Sequence, residues 1–446
     1  MSDLARRTAS SWIAAAMWAA SHGPVHAGAA SPAWTPDAAA GQALYYGTRP
    51  FGQAPRVFGA AMPMADSACV RCHGVLGEGG RESNFAAPAL AGRTDAMRLG
   101  DALTHGVGAD GRALDRMMPR YRLNPAELEA LQAFLPWLGH ADAPVRGVSA
   151  TELRLGLVLD GIASPAAREQ IEAGLRSVLQ QVNEQGGVHG RQLRLLPVVA
   201  ADADVLALIG SAPGTALREQ LAAKRLPSLA SLGLETDDVR SADWTVPLLP
   251  SLHQQARAAM QALADSPAGC EPWLIDPSGL MPAAEADRVV RWPSRPNAGA
   301  HEICVVALAP IADVDRLRSE WAAQGLALRR LVELAWLRPR PIVQAELEHR
   351  LVLPTPQAVA EQAEALGRSL WFVLGAAAAR SAVEALARSG RVLQPERVMA
   401  KLRGMAGFEP VARAPLAFNR QQPHGWAPQA WSAEPTTSFR AQGAVP

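Results

Sequence analysis

Several residue types are scarce in this chain, and each scarcity narrows its class. The 446 residues include four cysteines and two lysines, and aromatic residues make up only 5%. Basic and acidic residues number 43 and 42, so the formal net charge is +1. With so little net charge, no global electrostatic field favours a nucleic acid partner. Hydrophobic residues still make up 49%, which is typical of globular domains and not of a disordered chain.

Long apolar runs are also missing. Beyond the N-terminus, the longest one begins at Leu370, spans ten residues and is flanked by arginines, so no segment there is expected to cross a bilayer. Near the N-terminus, an arginine pair precedes the apolar run 12–20, and small residues up to Ala27 suit a signal peptidase. The pattern predicts a signal peptide over residues 1–27, export, and no membrane span after cleavage. A buried N-terminal helix is the alternative.

Two of the four cysteines stand in one short motif, Cys69-Val-Arg-Cys72-His73. A thioredoxin-like pair needs a βαβ context that the flanking sequence does not supply, and a structural zinc site needs four ligands where the motif offers three. C-x-x-C-H is the attachment motif of c-type haem. Two thiols on one helical turn can bond one haem, and the imidazole of His73 then lies under the iron as the first axial ligand. Since the motif occurs once, the sequence predicts one covalent haem.

A second axial ligand is expected from the loop that carries Met117 and Met118, about 45 residues beyond the motif. This loop leads into a helix whose start is marked by Asn124 as N-cap, a proline after it, and Glu127 at the third position. A methionine thioether on such a loop can ligate the iron from the face opposite the histidine. His105 is an alternative ligand, which would give bis-histidine coordination.

Residues 36–140 resemble a class I c-type cytochrome domain. The resemblance rests on the segments GQALYYG, ACVRCHG, APALAG and GVGADGRALDRMMPRYRL. It implies an all-α fold, and it assigns the distal iron ligand to the methionine that precedes a proline. The residues that it implies for haem attachment, iron ligation and the haem pocket are Cys69, Cys72, His73, Pro88, Leu90 and Met118. Iron held by histidine and methionine has no open coordination position, so the domain is expected to carry electrons and not to be an enzyme.

The pattern changes after residues 141–151, which lack periodicity and are predicted to form a linker. Strand-like runs such as 153–160 then alternate with helical patterns such as 165–185, and the alternation restarts near residue 247. Alternation of this kind predicts doubly wound, mostly parallel sheets in two lobes. In such folds, ligands bind at the carboxyl ends of the strands.

Residues 152–433 resemble type I periplasmic solute-binding proteins, the branched-chain amino-acid receptors of ABC importers, and residues 434–446 are predicted to be a tail. The resemblance is strongest in GLRSVLQQVNEQGGVHGRQLRLLPVV, where a helix is followed by a Gly-Gly-x-x-Gly-Arg turn and a strand. It implies a two-lobed α/β domain. The cleft residues that it suggests are Asp160, Ser164, Ser211, Thr215 and Ser231. Ordinary turn and helix-cap roles are the alternative, and the hydroxyl pattern departs from the amino-acid-binding members. The ligand is therefore expected to differ from an amino acid, or the cleft to serve as a docking surface.

The other two cysteines, Cys270 and Cys304, each stand near the start of a predicted strand. Neighbouring parallel strands can bring such a pair within disulfide reach, and an exported protein can keep the bond. Two buried thiols that remain reduced are the alternative.

The two resemblances together imply a periplasmic c-type cytochrome that transfers single electrons. Its α/β domain would recognise a small molecule or a redox partner such as a periplasmic dehydrogenase or another cytochrome. The alternative function is a solute receptor of the ABC-importer type with an accessory or redox-sensing haem domain. A third hypothesis, an enzyme that acts at the haem, needs an open coordination position on the iron.

Overall fold

The computed structural model describes residues 33–63, 66–82, 85–91, 98–234, 244–264, 270–277, 279–281, 290–291, 301–309, 314–334, 347–418 and 424–432. The signal peptide predicted over 1–27 and the tail predicted over 434–446 lie outside the described residues.

The described part of residues 36–138, the N-terminal unit, contains four helices and two short β-hairpins. The helices are α1 (Pro36–Tyr46), α2 (Val70–His73), α3 (Leu99–Thr104) and α4 (Pro125–Phe134), and a 3-10 turn follows at Leu135–Trp137. The strands are β1 (Arg56–Val57), β2 (Ala60–Ala61), β3 (Gly80–Glu82) and β4 (Phe85–Ala87). β1 pairs with β2, and β3 pairs with β4, both antiparallel. The expected all-α fold is therefore not confirmed, because the loops on both sides of α2 fold back as hairpins.

Helices α1 and α4 form the frame of this unit. Thr35 caps α1, and Asn124 and Glu127 form a reciprocal capping box at the start of α4, as their spacing predicts. The two helices cross closely because Gly41 has no side chain: a Cβ there would collide with the carbonyl oxygen of Ala130. The crossing holds the end of α1 in the aromatic cluster that lies beside the Cys69–His73 motif.

Residues 152–432, the α/β domain, contain two separate sheets. The first sheet is fully parallel, with strand order β6-β5-β7-β8-β9. Its strands are β5 (Glu152–Leu157), β6 (Gln192–Pro197), β7 (Ala207–Ile209), β8 (Ser228–Ser231) and β9 (Thr245–Pro247). Its first crossover helices are α5 (Pro165–Glu184) and α6 (Thr215–Ala223).

The second sheet has six strands in the order β11-β10-β12-β13-β14-β15. Its strands are β10 (Cys270–Ile275), β11 (Val290–Arg291), β12 (Glu302–Ala307), β13 (Ala327–Leu334), β14 (Glu348–Leu353) and β15 (Gln429–Ser432). All pairings are parallel except that of β15 with β14. The helices next to this sheet are α7 (Leu252–Ala264) and α8 (Val314–Ala322). The mostly parallel sheets predicted from the alternating pattern are confirmed.

After the second sheet, the chain returns to the first. Helices α9 (Gln357–Ala365), α10 (Leu370–Arg388) and α11 (Pro395–Arg403) bury their apolar side chains in the core of the first sheet. Helix α10 crosses α5 so closely that a Cβ at Gly375 would collide with the carbonyl oxygen of Ile171. The chain then crosses again to the second sheet, next to the place where it first left the first sheet after β9. At this place Trp426 N donates to Leu248 O at 3.1 Å. The core of the first sheet is therefore completed by a distant part of the sequence.

Within the described part of the chain, α10 alone has the length and apolar composition of a membrane-crossing helix. Most of its surface is buried, largely by contact with α5 and the first sheet. A long apolar helix that is mostly buried in this way is also typical of the central helix of a globular core, so the length and composition of α10 are weak evidence for a membrane span.

Candidate haem site

The motif Cys69–His73 forms a single helical turn. The backbone amides of Cys72 and His73 both donate to the carbonyl oxygen of Cys69, at 3.2 Å and 2.9 Å. Cys69 and Cys72 are three positions apart on this turn, so they share one face of it. Neither cysteine is in a disulfide, and burial raises the pKa of the Cys69 thiol to about 11. The sequence spacing therefore produces two neighbouring thiols, followed at once by an imidazole.

The imidazole of His73 is held in one orientation. Its Nδ1 lies 2.9 Å from the carbonyl oxygen of Pro88, and the side chain is buried. A carbonyl oxygen can only accept, so Nδ1 carries the proton and Nε2 carries the lone pair that can bind a metal. The amide of Leu90 donates to Gly77 O at 2.7 Å, and its side chain packs in one apolar cluster with Cys69. Pro88 and Leu90 thus lie beside the motif.

Two tyrosines at the end of α1 hold the backbone that follows the motif. The hydroxyl of Tyr45 donates to Gly74 O, and that of Tyr46 donates to Val75 O, both at 2.7 Å. Burial raises the pKa of both phenols, so they remain protonated and able to donate. The adjacent tyrosines were visible in the sequence, but nothing in their spacing indicated where their hydroxyls bind.

The two candidate methionines have different surroundings. The side chain of Met118 packs against the buried cluster that also includes Tyr121 and Cys69, whereas Met117 is exposed. The hydroxyl of Tyr121 donates to Ser67 O at 2.7 Å, which joins this loop to the residues just before the motif. The structure thus brings Met118, and not Met117, into the cluster of the first cysteine.

The guanidinium of Arg120 holds the methionine loop from within. Its Nη1 donates to Met118 O at 2.7 Å, and its Nη2 donates to Leu114 O and Asp115 O, both at 3.3 Å. The backbone of Arg120 also pairs with Arg56 in both directions, at 2.8 Å and 2.9 Å. Sequence reasoning missed this role, because an arginine after Met-Pro is indistinguishable from its exposed neighbours in the sequence.

His105 lies apart from this cluster. Its side chain is 69% exposed, and its Nδ1 lies 3.5 Å from Asp101 Oδ1, one helical turn away. An exposed imidazole beside a carboxylate is typical of a solvated surface, so the geometry gives no support to ligation by His105.

The donor set around Cys69–His73 fits a c-type haem. It supplies two thiols on one turn, an imidazole whose Nδ1 is occupied by a carbonyl, and a thioether from a loop that packs on the same cluster. Among the described residues, no group of three His, Cys, Asp or Glu side chains could hold a bare metal ion instead.

The polar residues predicted for a ligand cleft gather at the carboxyl ends of β5, β7 and β8, as a parallel sheet requires. Ser211 and Ser231 are fully buried there. The hydroxyl of Ser211 accepts from Val158 N at 3.1 Å, and that of Ser231 donates to Ser211 O at 2.8 Å. These two hydroxyls join neighbouring strands to each other.

The other three predicted cleft residues also bond within the chain. Asp160 accepts from Gly214 N at 2.8 Å, which ties the loop after β5 to the loop after β7. Ser164 is the N-cap of α5, and the hydroxyl of Thr215 accepts from Arg218 Nη2 at 3.3 Å. All five side chains thus have turn, cap or strand-joining contacts, which is the alternative that the sequence left open.

An open surface groove with a cavity volume of about 470 Å³ lies between α5 and β6. It contains none of the residues predicted for the cleft. The lining residues are Arg176, Leu179, Gln180, Asn183, Glu184, Gln192, Leu193 and Leu195. The side-chain amide of Asn183 donates to Leu193 O and accepts from Leu193 N. This asparagine, which precedes the Gly-Gly-x-x-Gly-Arg turn, therefore ties α5 to β6.

Cys270 and Cys304 form a disulfide between the neighbouring strands β10 and β12, with a Cα–Cα distance of 5.8 Å. The disulfide therefore joins two strands of the second sheet and does not connect the α/β domain to the N-terminal unit.

Comparisons with known proteins match parts of the chain. Residues 56–139 match the family model described as Cytochrome c. This region is a cytochrome c domain, and binding of haem c follows from that assignment. No curated protein sequence matches the chain.

Several solved structures are similar to the larger part of the chain. One is a fatty acid ABC transporter substrate-binding protein from Thermomonospora curvata, at 15% identity and a TM-score of 0.44, covering 67% of this chain and 96% of that one. Another is an ABC transporter substrate-binding protein from Desulfitobacterium hafniense, at 17% identity and a TM-score of 0.47, covering 64% and 98%. A branched-chain amino acid ABC transporter protein from Thermus thermophilus with bound valine has 18% identity and a TM-score of 0.44, covering 65% and 94%.

The chain therefore contains a cytochrome c domain, which confirms the first resemblance drawn from the sequence. Its larger part is similar to the solved solute-binding proteins named above.

Proposed function

We propose that this protein is a periplasmic c-type cytochrome that transfers single electrons through one covalently bound haem. The haem domain spans residues 36–140, the linker 141–151, and the α/β domain 152–433. The observation that carries the proposal is the turn Cys69–His73, in which two thiols stand beside an imidazole whose Nδ1 donates to Pro88.

The residues of the haem domain have distinct roles in this proposal. Cys69 and Cys72 form the thioether bonds, His73 and Met118 are the axial ligands, and Pro88 and Leu90 line the haem pocket. When bound, the haem supplies one-electron redox chemistry. Tyr45 and Tyr46 fix the backbone after the motif, and Arg120 and Tyr121 fix the methionine loop.

We further propose that the protein is an electron carrier and not an enzyme. Ligation by both His73 and Met118 leaves no open position on the iron for a substrate. The packing of the partly buried Met118 side chain against the same cluster as Cys69 supports this ligation.

For the α/β domain, we propose two lobes, one around each sheet, that recognise a redox partner such as a dehydrogenase, or a small molecule. The hydroxyls of Ser211 and Ser231 are buried and bond within the chain, so they do not favour recognition of an amino acid at the first sheet. For the same reason, a solute receptor with an accessory haem is the less favoured function.

The haem ligands can be tested on the purified holoprotein. We expect a mass increase of one haem that persists after denaturation and is lost in Cys69→Ala/Cys72→Ala. Met118→Ala should abolish the absorption band of thioether-ligated iron, and the matched variant Met117→Ala should keep it. A protein that matures without covalent haem, or a Met118→Ala variant with an unchanged spectrum, would overturn the proposal.

A further inference from the structure

The segment between the two domains, residues 141–151, has hydrogen bonds to both of them. On one side, Gln42 Nε2 donates to Pro144 O at 2.9 Å. On the other side, Arg146 donates to Ala203 O and Ala201 O, at 2.8 Å and 2.9 Å. Although residues 141–151 lack periodicity, they are therefore not a loose tether, and the haem domain lies against the first sheet.

Arg225 of the α/β domain reaches into the haem domain at this contact. It stands in the turn between α6 and β8 with φ of +51°, a conformation that is uncommon for a residue other than glycine. Its Nη1 donates to Tyr46 O at 2.6 Å. The guanidinium also lies against Gly47, where a Cβ would be 3.1 Å from Nη1 and 2.7 Å from the Cβ of Ala68. Arg225 thus touches the end of α1 at the point where α1 meets the residue before the first haem cysteine.

Tyr46 connects this contact to the haem segment. While its carbonyl accepts from Arg225, its hydroxyl donates to Val75 O, two residues beyond the proximal histidine. One residue therefore links the α/β domain to the backbone that positions His73.

A second ionisable group of the α/β domain lies at the same contact. Glu396, in the first turn of α11, is partly exposed, but its Oε2 is buried and has no hydrogen-bond partner among the described residues. Burial raises the pKa of its carboxyl group, and Arg225 is the charged group that opposes this rise. Burial, and after it the negative charges of Glu396 and Glu78, raise the pKa of Tyr46. Burial lowers the pKa of Arg225, where the charge of Glu396 opposes the shift and that of Arg71 on α2 adds to it.

We propose that the α/β domain completes the haem site, with Arg225 as a positioning residue that acts through Tyr46, and with the charges of Arg225 and Glu396 tuning the haem potential. This inference rests on the proposed function, since it needs a redox-active haem at Cys69–His73. It assigns to the α/β domain a role in the redox chemistry that does not depend on any ligand.

The test is a redox titration of the full-length holoprotein and its variants. A positive charge near the haem favours the reduced form, so Arg225→Gln should lower the haem potential. At a fixed potential, we expect the ratio of ferric to ferrous haem to rise by about threefold or more. Lys224→Gln removes the same charge from an exposed neighbouring residue and should change the ratio much less. Arg225→Lys keeps the positive charge, so its haem potential should lie between those of Arg225→Gln and the wild type.

Glu396→Gln provides a signature that a merely structural role would not give. Loss of a negative charge should raise the haem potential, opposite to Arg225→Gln, at pH values where the carboxyl group is ionised. The titration therefore runs from pH 5 to pH 9. A Glu396→Gln potential at or below the wild-type value over this whole range would refute the role of Glu396.

Two further outcomes separate the inference from the proposed function. If haem attaches normally and Arg225→Gln has the potential of Lys224→Gln, the inference is wrong and the proposed function stands. If the wild-type protein carries no redox-active haem, the proposed function itself fails.

Discussion

The methionine loop depends on the guanidinium of Arg120, which donates to Met118 O at 2.7 Å and to two other carbonyl oxygens at 3.3 Å. Arg120→Gln removes these hydrogen bonds but leaves the backbone pairing with Arg56. Hydrogen bonds from a charged donor contribute roughly 1.5–3 kcal/mol each when buried. Because Arg120 is only half-buried and two of its bonds are long, we assign about 2 kcal/mol to the set. At 1.4 kcal/mol per tenfold change, this loss should make displacement of the proposed ligand Met118 from the iron about 30-fold more favourable.

Imidazole can measure this change, since it would compete with the proposed Met118 thioether for ferric iron. We expect Arg120→Gln holoprotein to bind imidazole about 30-fold more tightly than the wild type, followed by loss of the thioether–iron absorption band. The matched control is Arg122→Gln, which removes an exposed arginine from the same loop and should bind imidazole as the wild type does. Equal affinities for the two variants would show that the hydrogen bonds of Arg120 do not hold the loop.

Three other variants test a hydrogen bond beside the motif, a carboxyl group with a raised pKa and a close helix crossing. Tyr46→Phe loses the hydrogen bond to the backbone after the motif and should lower the free energy of unfolding by about 1 kcal/mol in urea. Burial raises the pKa of Glu396 above its ordinary 4.5, so the folded state holds that proton more tightly than the unfolded state. The unfolding free energy should therefore fall as pH rises above 4.5 until the folded-state pKa is passed, and Glu396→Gln should remove this fall. Gly375→Leu should cost more than about 3 kcal/mol in thermal or urea unfolding, because its Cβ meets the carbonyl of Ile171. Gly404→Ala, whose Cβ would meet only ordinary contacts, should be nearly neutral.

Local signals carried most of what could be predicted from the sequence. The capping box of Asn124 and Glu127, the turn of Cys69–His73 and the alternation of strands and helices each depend on residues close together in the chain. In such cases the backbone geometry follows from the spacing itself.

The contacts that connect these elements were not predictable in the same way. The hydrogen bond from Arg225 to Tyr46 joins residues 179 positions apart, and the Tyr121 hydroxyl reaches an acceptor 54 positions away. Whether Ser211 and Ser231 face a cleft or bond to each other depends on the register of neighbouring strands, which hydroxyl spacing does not encode. The hairpins around α2 contain only two or three residue pairs each, and their sequences lack the alternation of apolar and polar residues from which a strand is predicted.

The return of α9, α10 and α11 to the first sheet has a consequence for the order of folding. The N-terminal unit and the second sheet up to β14 are each built from continuous stretches of chain, whereas the core of the first sheet stays incomplete until residues beyond 350 are available. Pairings over such separations form late, because the closing of a long loop must precede any gain from contact. Glu396 belongs to that late segment. In the proposed function, the exported chain can therefore acquire its haem before the core of the first sheet has closed, and we expect the potential of that immature form to differ from the final one.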